Sequence, residues 1–205
     1  MPAEEKIPMK KNTNFLQKMG IGLVLLSFIL LLGSEILAGS NRAATRKLTE
    51  QLCNSLPERT QGDPQGYSDP RMPALQLKGT DFLGLIEMPA YGVALPLGSS
   101  WDQSVLNRHP CRFQGSVYDS SLIVGGSGTK GQFDIFGSME LGDKIRITDM
   151  TGAQFSYEVT DIDRRSHADM EIFREKERDL ILFARDQETS NYILVRCLVA
   201  PGSPD

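Results

Sequence analysis

The chain has 205 residues, a net charge of −4 and 40% apolar residues, the balance of one packed domain of ordinary size with room for an anchor or tail. The pI lies near 5.3 and no basic face is clustered in the sequence, so nucleic acid is not expected as a partner. Three cysteines without a CxxC pair and two histidines make no metal-ligand set, and neither metal nor cofactor is expected.

In chain order, Lys6, Lys10, Lys11 and Lys18 precede an uncharged run from Met19 to Ser34; Glu35 interrupts it and Ile36-Leu37-Ala38 follows. A bilayer core takes roughly 17–25 apolar residues in a helix, and lysines on the N-terminal side hold that end in the cytoplasm. The expected order is a cytoplasmic tail at 1–18, a single-pass transmembrane helix at 19–38 and an extracellular C-terminal domain. A signal peptide cut after Ala38 is the rival reading. Residues 39–80 read as stalk and linker: Leu48, Leu52 and Leu56 recur at helical spacing, and Thr60 to Met72 is rich in Gly, Pro, Asp, Gln and Ser.

From Asp81 the pattern changes to short strands and turns. Leu83 to Pro89, Tyr91 to Leu97, Ser121 to Val124, Lys144 to Thr148, Gln154 to Asp161, Leu180 to Phe183 and Tyr192 to Val199 each read as a strand. The charged stretch between Asp163 and Arg178 reads as one short helix. Many short strands at short spacing imply a mainly β barrel or sandwich over 81–200, with 201–205 as a tail. Periodicity carries no function beyond that.

Several segments resemble the sortase family, the cysteine transpeptidases of Gram-positive cell surfaces. Asp81 to Pro89 is similar to the family's opening strand, and His109-Pro110-Cys111-Arg112-Phe113-Gln114-Gly115-Ser116 to a "PCRYSGS" segment of one subgroup. Leu122-Ile123-Val124-Gly125 resembles the strand leading into a "GH" motif, and Phe133 to Gly152 the loop, "L–GD" element and hairpin that follow. Asp179 to Arg185 lies over "DLTLFTC", and Tyr192 to Cys197 over "RVTVRC", with no gap between them. The resemblance implies a sortase-like closed β-barrel with short helices, preceded by a transmembrane helix, at the bacterial cell membrane.

Sortase chemistry needs a thiolate nucleophile, a histidine that shuttles the proton and an arginine that donates to the oxyanion. Carried over by resemblance, the histidine falls on Gly126, the nucleophile on Arg185 and the arginine on Tyr192. No histidine lies between Gly125 and Phe133, and Ala184 does not rescue the nucleophile by a one-residue slip. Losing one oxyanion donor costs roughly 10²–10³ in rate. Losing the nucleophile removes the covalent path, and an arginine, protonated at any usable pH, does not replace it.

Other constellations are weaker. Cys197 shares a strand face with Ile193 and Val195, Cys111 sits in an apolar strand, His109 precedes Pro110 in a turn, and His167 lies in a polar stretch. Ser127 invites a serine-nucleophile reading but has no histidine near it in sequence. Arg185, Tyr192 and Ser127 are the candidate groove residues, and a guanidinium over a phenol ring would contribute about 0.5–1 kcal/mol; neutral drift at a disused site is the opposing reading. In an oxidising compartment Cys111 and Cys197, on strands of one barrel, are expected to pair or adjoin, with Cys53 left in the stalk.

Three functions follow. The first is a non-catalytic, membrane-anchored sortase homologue that binds a surface protein, a sorting-signal peptide or another sortase. The second is an active transpeptidase or hydrolase with a relocated site. The third is a purely structural extracellular β-domain.

Overall fold

The computed structural model describes residues 43–166, 178–187 and 189–200, with Met19, Leu23 and Ser27 from the stretch before them. The chain divides into two compact units, Met1–Ser40 and Asn41–Asp205. In the first, the three described residues are helical and exposed. Among the described residues no helix is long and apolar enough to cross a membrane. The expected tail 1–18, anchor 19–38 and tail 201–205 lie outside the described residues apart from those positions, and so does most of the helix expected between Asp163 and Arg178.

In the second unit, side-chain alternation makes the strands. Along β8 (Ala153–Arg165), Ala153, Phe155, Tyr157 and Val159 are buried while Ser156 and Thr160 face out, the period-two pattern of a strand with one core face. β7 (Lys144–Asp149) partly keeps that alternation, whereas β3 (Thr80–Met88), β4 (Val93–Gly98), β6 (Leu122–Ser127), β9 (Leu180–Arg185) and β10 (Tyr192–Val199) carry runs of consecutive buried residues, the mark of strands covered on both faces; β5 (Cys111–Gln114) is short. Two short strands, β1 (Thr60–Gln61) and β2 (Leu75–Leu77), precede them.

The pairing runs β8-β10-β9-β6-β5-β4-β3, and β7 pairs with both β3 and β8. The sheet therefore closes into an eight-stranded barrel, whose thinnest seam is the single Gly98–Cys111 pair that joins β4 to β5. β1 adds to β8 in parallel and β2 to β3 antiparallel. Inside the barrel, Leu122 and Val124 of β6, Leu180, Leu182 and Ala184 of β9, and Ile193, Val195 and Cys197 of β10 join Phe155 and Tyr157 in one core. The outward face of the same three strands is also apolar: Ile123, Ile181, Phe183 and Leu194 cluster there, with Phe113 and Tyr192 packed against them.

A helix over 43–55, α1, lies on the outside of the barrel. Its Leu48 and Leu52 bury against Phe82 and Leu85 of β3, and Leu56 and Met150 pack on the edge of that cluster. The stretch expected to be stalk and linker is thus packed onto the barrel from its first described helix, and it supplies β1 and β2. Tyr67 fixes the segment between those strands by stacking on Tyr118 with ring centres 3.8 Å apart. Tyr118 in turn donates to the buried Asp149 carboxylate at 2.5 Å. Asp149 also accepts from the Thr151 and Ala153 amides at 2.8 and 3.0 Å, which shapes the β7–β8 turn.

The expected Cys111–Cys197 bond is corrected: both residues are free and buried, and Cys53 is free and exposed. Cys111 is on β5 and Cys197 on β10, with β6 and β9 between them. Three inter-strand spacings amount to about 14 Å, twice the longest Cα separation of about 7 Å that a disulfide spans. One barrel does not make two cysteines neighbours.

Because Leu52 is fully buried under Phe82 and Leu85, Leu52→Ala is expected to cost about 2–5 kcal/mol. Urea unfolding measures it. A change below about 0.5 kcal/mol would show that α1 is a detachable stalk.

Candidate functional site

β6 and β9 run parallel, with Gly126 opposite Ala184 and Ser127 opposite Arg185. β10 returns antiparallel to β9 and sets Tyr192 opposite Arg185. Three strands therefore end side by side, and the sequence-derived candidates Ser127, Arg185 and Tyr192 meet at one place. They line an open groove of about 410 Å³ on the outer face of the barrel, within the range of about 300–1,000 Å³ usual for small-ligand clefts.

Gly126 also lines the groove, through its backbone. Its side-chain direction does not: a Cβ there would meet the Phe133 ring at 2.4 Å, and Phe133 belongs to the barrel core. Alternation decides this, because Gly126 follows the inward parity of Leu122 and Val124 and Ser127 the outward parity of Ile123. The position that shares a face with Arg185 and Tyr192 is Ser127, one residue beyond the one that the resemblance indicated. A histidine at 126 would have to displace a core phenylalanine.

Gly125 serves the outer face in the same way. A Cβ there would meet Trp101 at 2.3 Å and Phe183 at 2.6 Å. The missing side chain lets the Trp101 indole lie on the strand, stacked with Phe183 at 5.6 Å and edge-on to Phe113 at 5.3 Å. Trp101 is held there by the residue after it. Asp102 caps the short helix α2 (Gln103–Leu106), accepting from the Ser104 and Val105 amides at 2.7 and 3.3 Å. The Ser104 hydrogen bonds hold the Asp102 carboxyl below its usual range. Trp101 and α2 were not singled out in the sequence. The only signal was a lone tryptophan followed by Asp-Gln-Ser, a cap pattern without a hydrophobic period.

Ser127 is braced by the loop that follows β6. Its amide donates to Gln132 Oε1 at 3.0 Å, and Gln132 Nε2 donates to the Leu106 carbonyl at 3.2 Å. Gln132 is a buried strut between the end of α2 and the end of β6. Arg185 is exposed, and its Nε donates to the Ser190 carbonyl at 3.3 Å in the β9–β10 turn. Among the described residues it makes no ion pair.

The structure keeps the remaining candidates away from this groove. Cys197 is in the barrel interior, where burial pushes its thiol far above the usual range. Cys111 is buried on β5; its thiol is pushed up to about 11 by burial and donates to the His109 carbonyl at 3.5 Å. His109 is itself buried, edge-on to Phe82 at 5.6 Å. His167 lies outside the described residues. No cysteine or histidine lines the groove among the described residues, and Arg185 is its only charged side chain. That arrangement can hold an anion and an apolar face. It presents no nucleophile paired with a base.

No family model and no curated protein matches the sequence. Solved structures do. The chain is similar to sortase C1 from Streptococcus suis, with a TM-score of 0.52 and 20% identity, covering 60% of this chain and 74% of that one. It is similar to sortase C1 from Streptococcus agalactiae, with a TM-score of 0.52 and 20% identity over 62% of this chain and 72% of that one. Sortase A from Corynebacterium diphtheriae has a TM-score of 0.55 and 16% identity, covering 82% of this chain and 86% of that one. At these identities the likeness is one of fold: the barrel is sortase-like.

Two measurements follow. Gly126→His is expected to cost at least about 1–3 kcal/mol by overpacking against Phe133, whereas Ser127→His on the open face should stay within about 0.5 kcal/mol. Equal urea midpoints for the two variants would mean that the facing is wrong. The second concerns His109, whose ring burial, helped by the nearby Arg108 charge, pushes down from 6.5 to about 4. The unfolded chain takes up this proton near its ordinary value and the folded one only near the lowered value, so the contribution is whole above pH 6.5 and lost as pH falls toward 4. The slope is about 1.4 kcal/mol per pH unit. Comparing urea midpoints across pH 7 to 4 checks it, and His109→Gln should remove that slope.

Proposed function

We propose that this chain is a membrane-anchored, non-catalytic sortase-fold protein of the bacterial cell envelope, with its barrel on the extracellular side, acting through binding at the groove. One observation carries the reading. Where the resemblance sets the family's histidine, cysteine and arginine, the three strand ends carry Gly126 with Ser127, Arg185 and Tyr192. A guanidinium at the nucleophile position neither attacks a carbonyl nor accepts a proton. The open, aromatic, singly charged groove that remains favours a binding or accessory component over a purely structural domain.

An active transpeptidase or hydrolase with a relocated site would need a reachable thiol beside a base. Both barrel cysteines are buried, and the Cys111 thiol faces the His109 carbonyl rather than its ring. This arrangement supports catalytic silence.

The test is incubation with sorting-signal peptides, followed by intact-mass analysis. No cleavage and no acyl-enzyme are expected. A thiol-directed reagent should label Cys53 alone in the native protein, since it is the exposed cysteine, and all three after denaturation. Reconstruction sharpens it: Ser127→His, Arg185→Cys and Tyr192→Arg together should create a thiol that reacts faster than either buried cysteine, because a nearby imidazolium favours the thiolate. Peptide turnover by the unaltered protein would overturn the reading; its loss after Cys111→Ala or Cys197→Ala would assign it to a relocated cysteine, and its persistence after both to a different nucleophile.

Localisation is checked separately. The lysine-flanked apolar run over 19–38 leads us to expect that the full chain fractionates with membranes and resists carbonate extraction. A soluble form beginning near Gly39 would establish a cleaved signal instead.

A further inference from the structure

The groove lining combines three chemistries, and each narrows the ligand. Trp101, Phe113, Phe183 and Tyr192 provide aromatic surface, and Trp101 keeps 43% of its surface open despite its stacking on Phe183. That surface wants a flat ligand with an apolar face. Gln103 and Asn107 on the α2 side and Gln187 in the β9–β10 turn bring uncharged amides. Gln103 Nε2 donates to Asn107 Oδ1 at 3.1 Å, which aligns the two amides and leaves Gln103 Oε1 to accept and Asn107 Nδ2 to donate. Arg185 is the only charged side chain on the groove among the described residues; its Nε is fixed on Ser190 and it forms no ion pair there. A fork of that kind suits a carboxylate. The chain as a whole is acidic, with a net charge of −4, so this cation is a local reversal of sign.

The same features argue against other ligand classes. β9 and β10 are paired on both sides where they line the groove, and beyond the last β5 pairing at Gly125 the Ser127 amide and carbonyl are taken by Gln132 Oε1 and the Phe133 amide, so the groove offers an extended peptide little strand edge to add to. One cation is too few for a polyphosphate backbone. A purely apolar ligand would desolvate Arg185 without a partner. A pyranose ring that bears a carboxylate satisfies all three: its C–H face lies on an aromatic ring, its hydroxyl and acetamido groups meet amides, and its acid meets the guanidinium.

We infer that the groove between α2 and the ends of β6, β9 and β10 binds a carboxylate-bearing saccharide, with the sugar ring on Trp101 and the acid on Arg185. This rests on the reading of the groove as a binding site. Because Trp101 is the only tryptophan in the chain, its fluorescence reports the groove directly.

The experiment is a titration of the full chain, in detergent, with N-acetylmuramic acid, with N-acetylglucosamine (the same ring without the lactyl carboxylate), and with an uncharged apolar peptide. Saturable change in emission is expected with N-acetylmuramic acid, at least tenfold weaker binding with N-acetylglucosamine, and weakening of the former by salt. Arg185→Ala should bring the acid down to the affinity of the neutral sugar and leave the neutral sugar unchanged. Arg185→Lys, which keeps the charge and loses the fork, should fall between them. Equal binding of both sugars to the unaltered chain would overturn carboxylate recognition. A response to the peptide with none to either sugar would overturn the saccharide inference and leave the binding groove standing. Silence toward all three would overturn both.

Discussion

β7 hydrogen-bonds to β3 on one side and β8 on the other, and the rest of the fold depends on that double pairing. Without it the sheet would be an open ladder from β8 to β3. With it, the interior is sealed and Leu122, Val124, Leu182, Val195 and Tyr157 share one core. Closure also has a consequence outside. β9 and β10 are paired along both sides, so recognition at that part of the barrel falls to side chains on its outer face or loops at its rim.

An apolar outer face needs cover. On the β3 side α1 supplies it, with Leu48 and Leu52 over Phe82 and Leu85. On the β6–β9–β10 side the four-residue α2 reaches only the end of β6, and Ile123, Ile181, Phe183 and Leu194 are covered in part by Phe113 and Tyr192 and by Trp101, which stacks on Phe183. Two adjacent glycines make that end of β6 thin enough for aromatics to pack on it from both sides. Phe133 approaches Gly126 from within, and Trp101 and Phe183 approach Gly125 from without. The groove is what the partial outer cover leaves open. Its aromatic character has the same origin as the burial beneath it, and its single charge comes from the one outward position at the end of β9.

This geometry also separates fold from chemistry. Leu180, Leu182, Ile193 and Val195 alternate inward with no exposure above 5%, so the barrel does not depend on what stands at Ser127, Arg185 and Tyr192. A site at strand ends, on the outward parity, can change its residues while the core stays intact.

Local patterning was enough for much of the architecture. Period-two alternation placed β7 and β8, and apolar runs placed β3, β9 and β10, close to their observed limits, because burial on one face or on both is written in adjacent residues. The gapless run from Asp179 to Cys197 also brought Arg185 and Tyr192 together, since a short hairpin leaves register little freedom. Features that depend on distant parts of the chain were not legible. The packing of 43–80 on the barrel requires knowing that Phe82 and Leu85 present an uncovered outer face. The distance between Cys111 and Cys197 depends on strand order, which no local period encodes. The facing of Gly126 is the narrowest case. A glycine has no side chain to reveal its parity, and a one-residue slip reverses the face, so only the Phe133 ring, folded back against β6 by the loop between them, decides that Ser127 and not Gly126 looks into the groove.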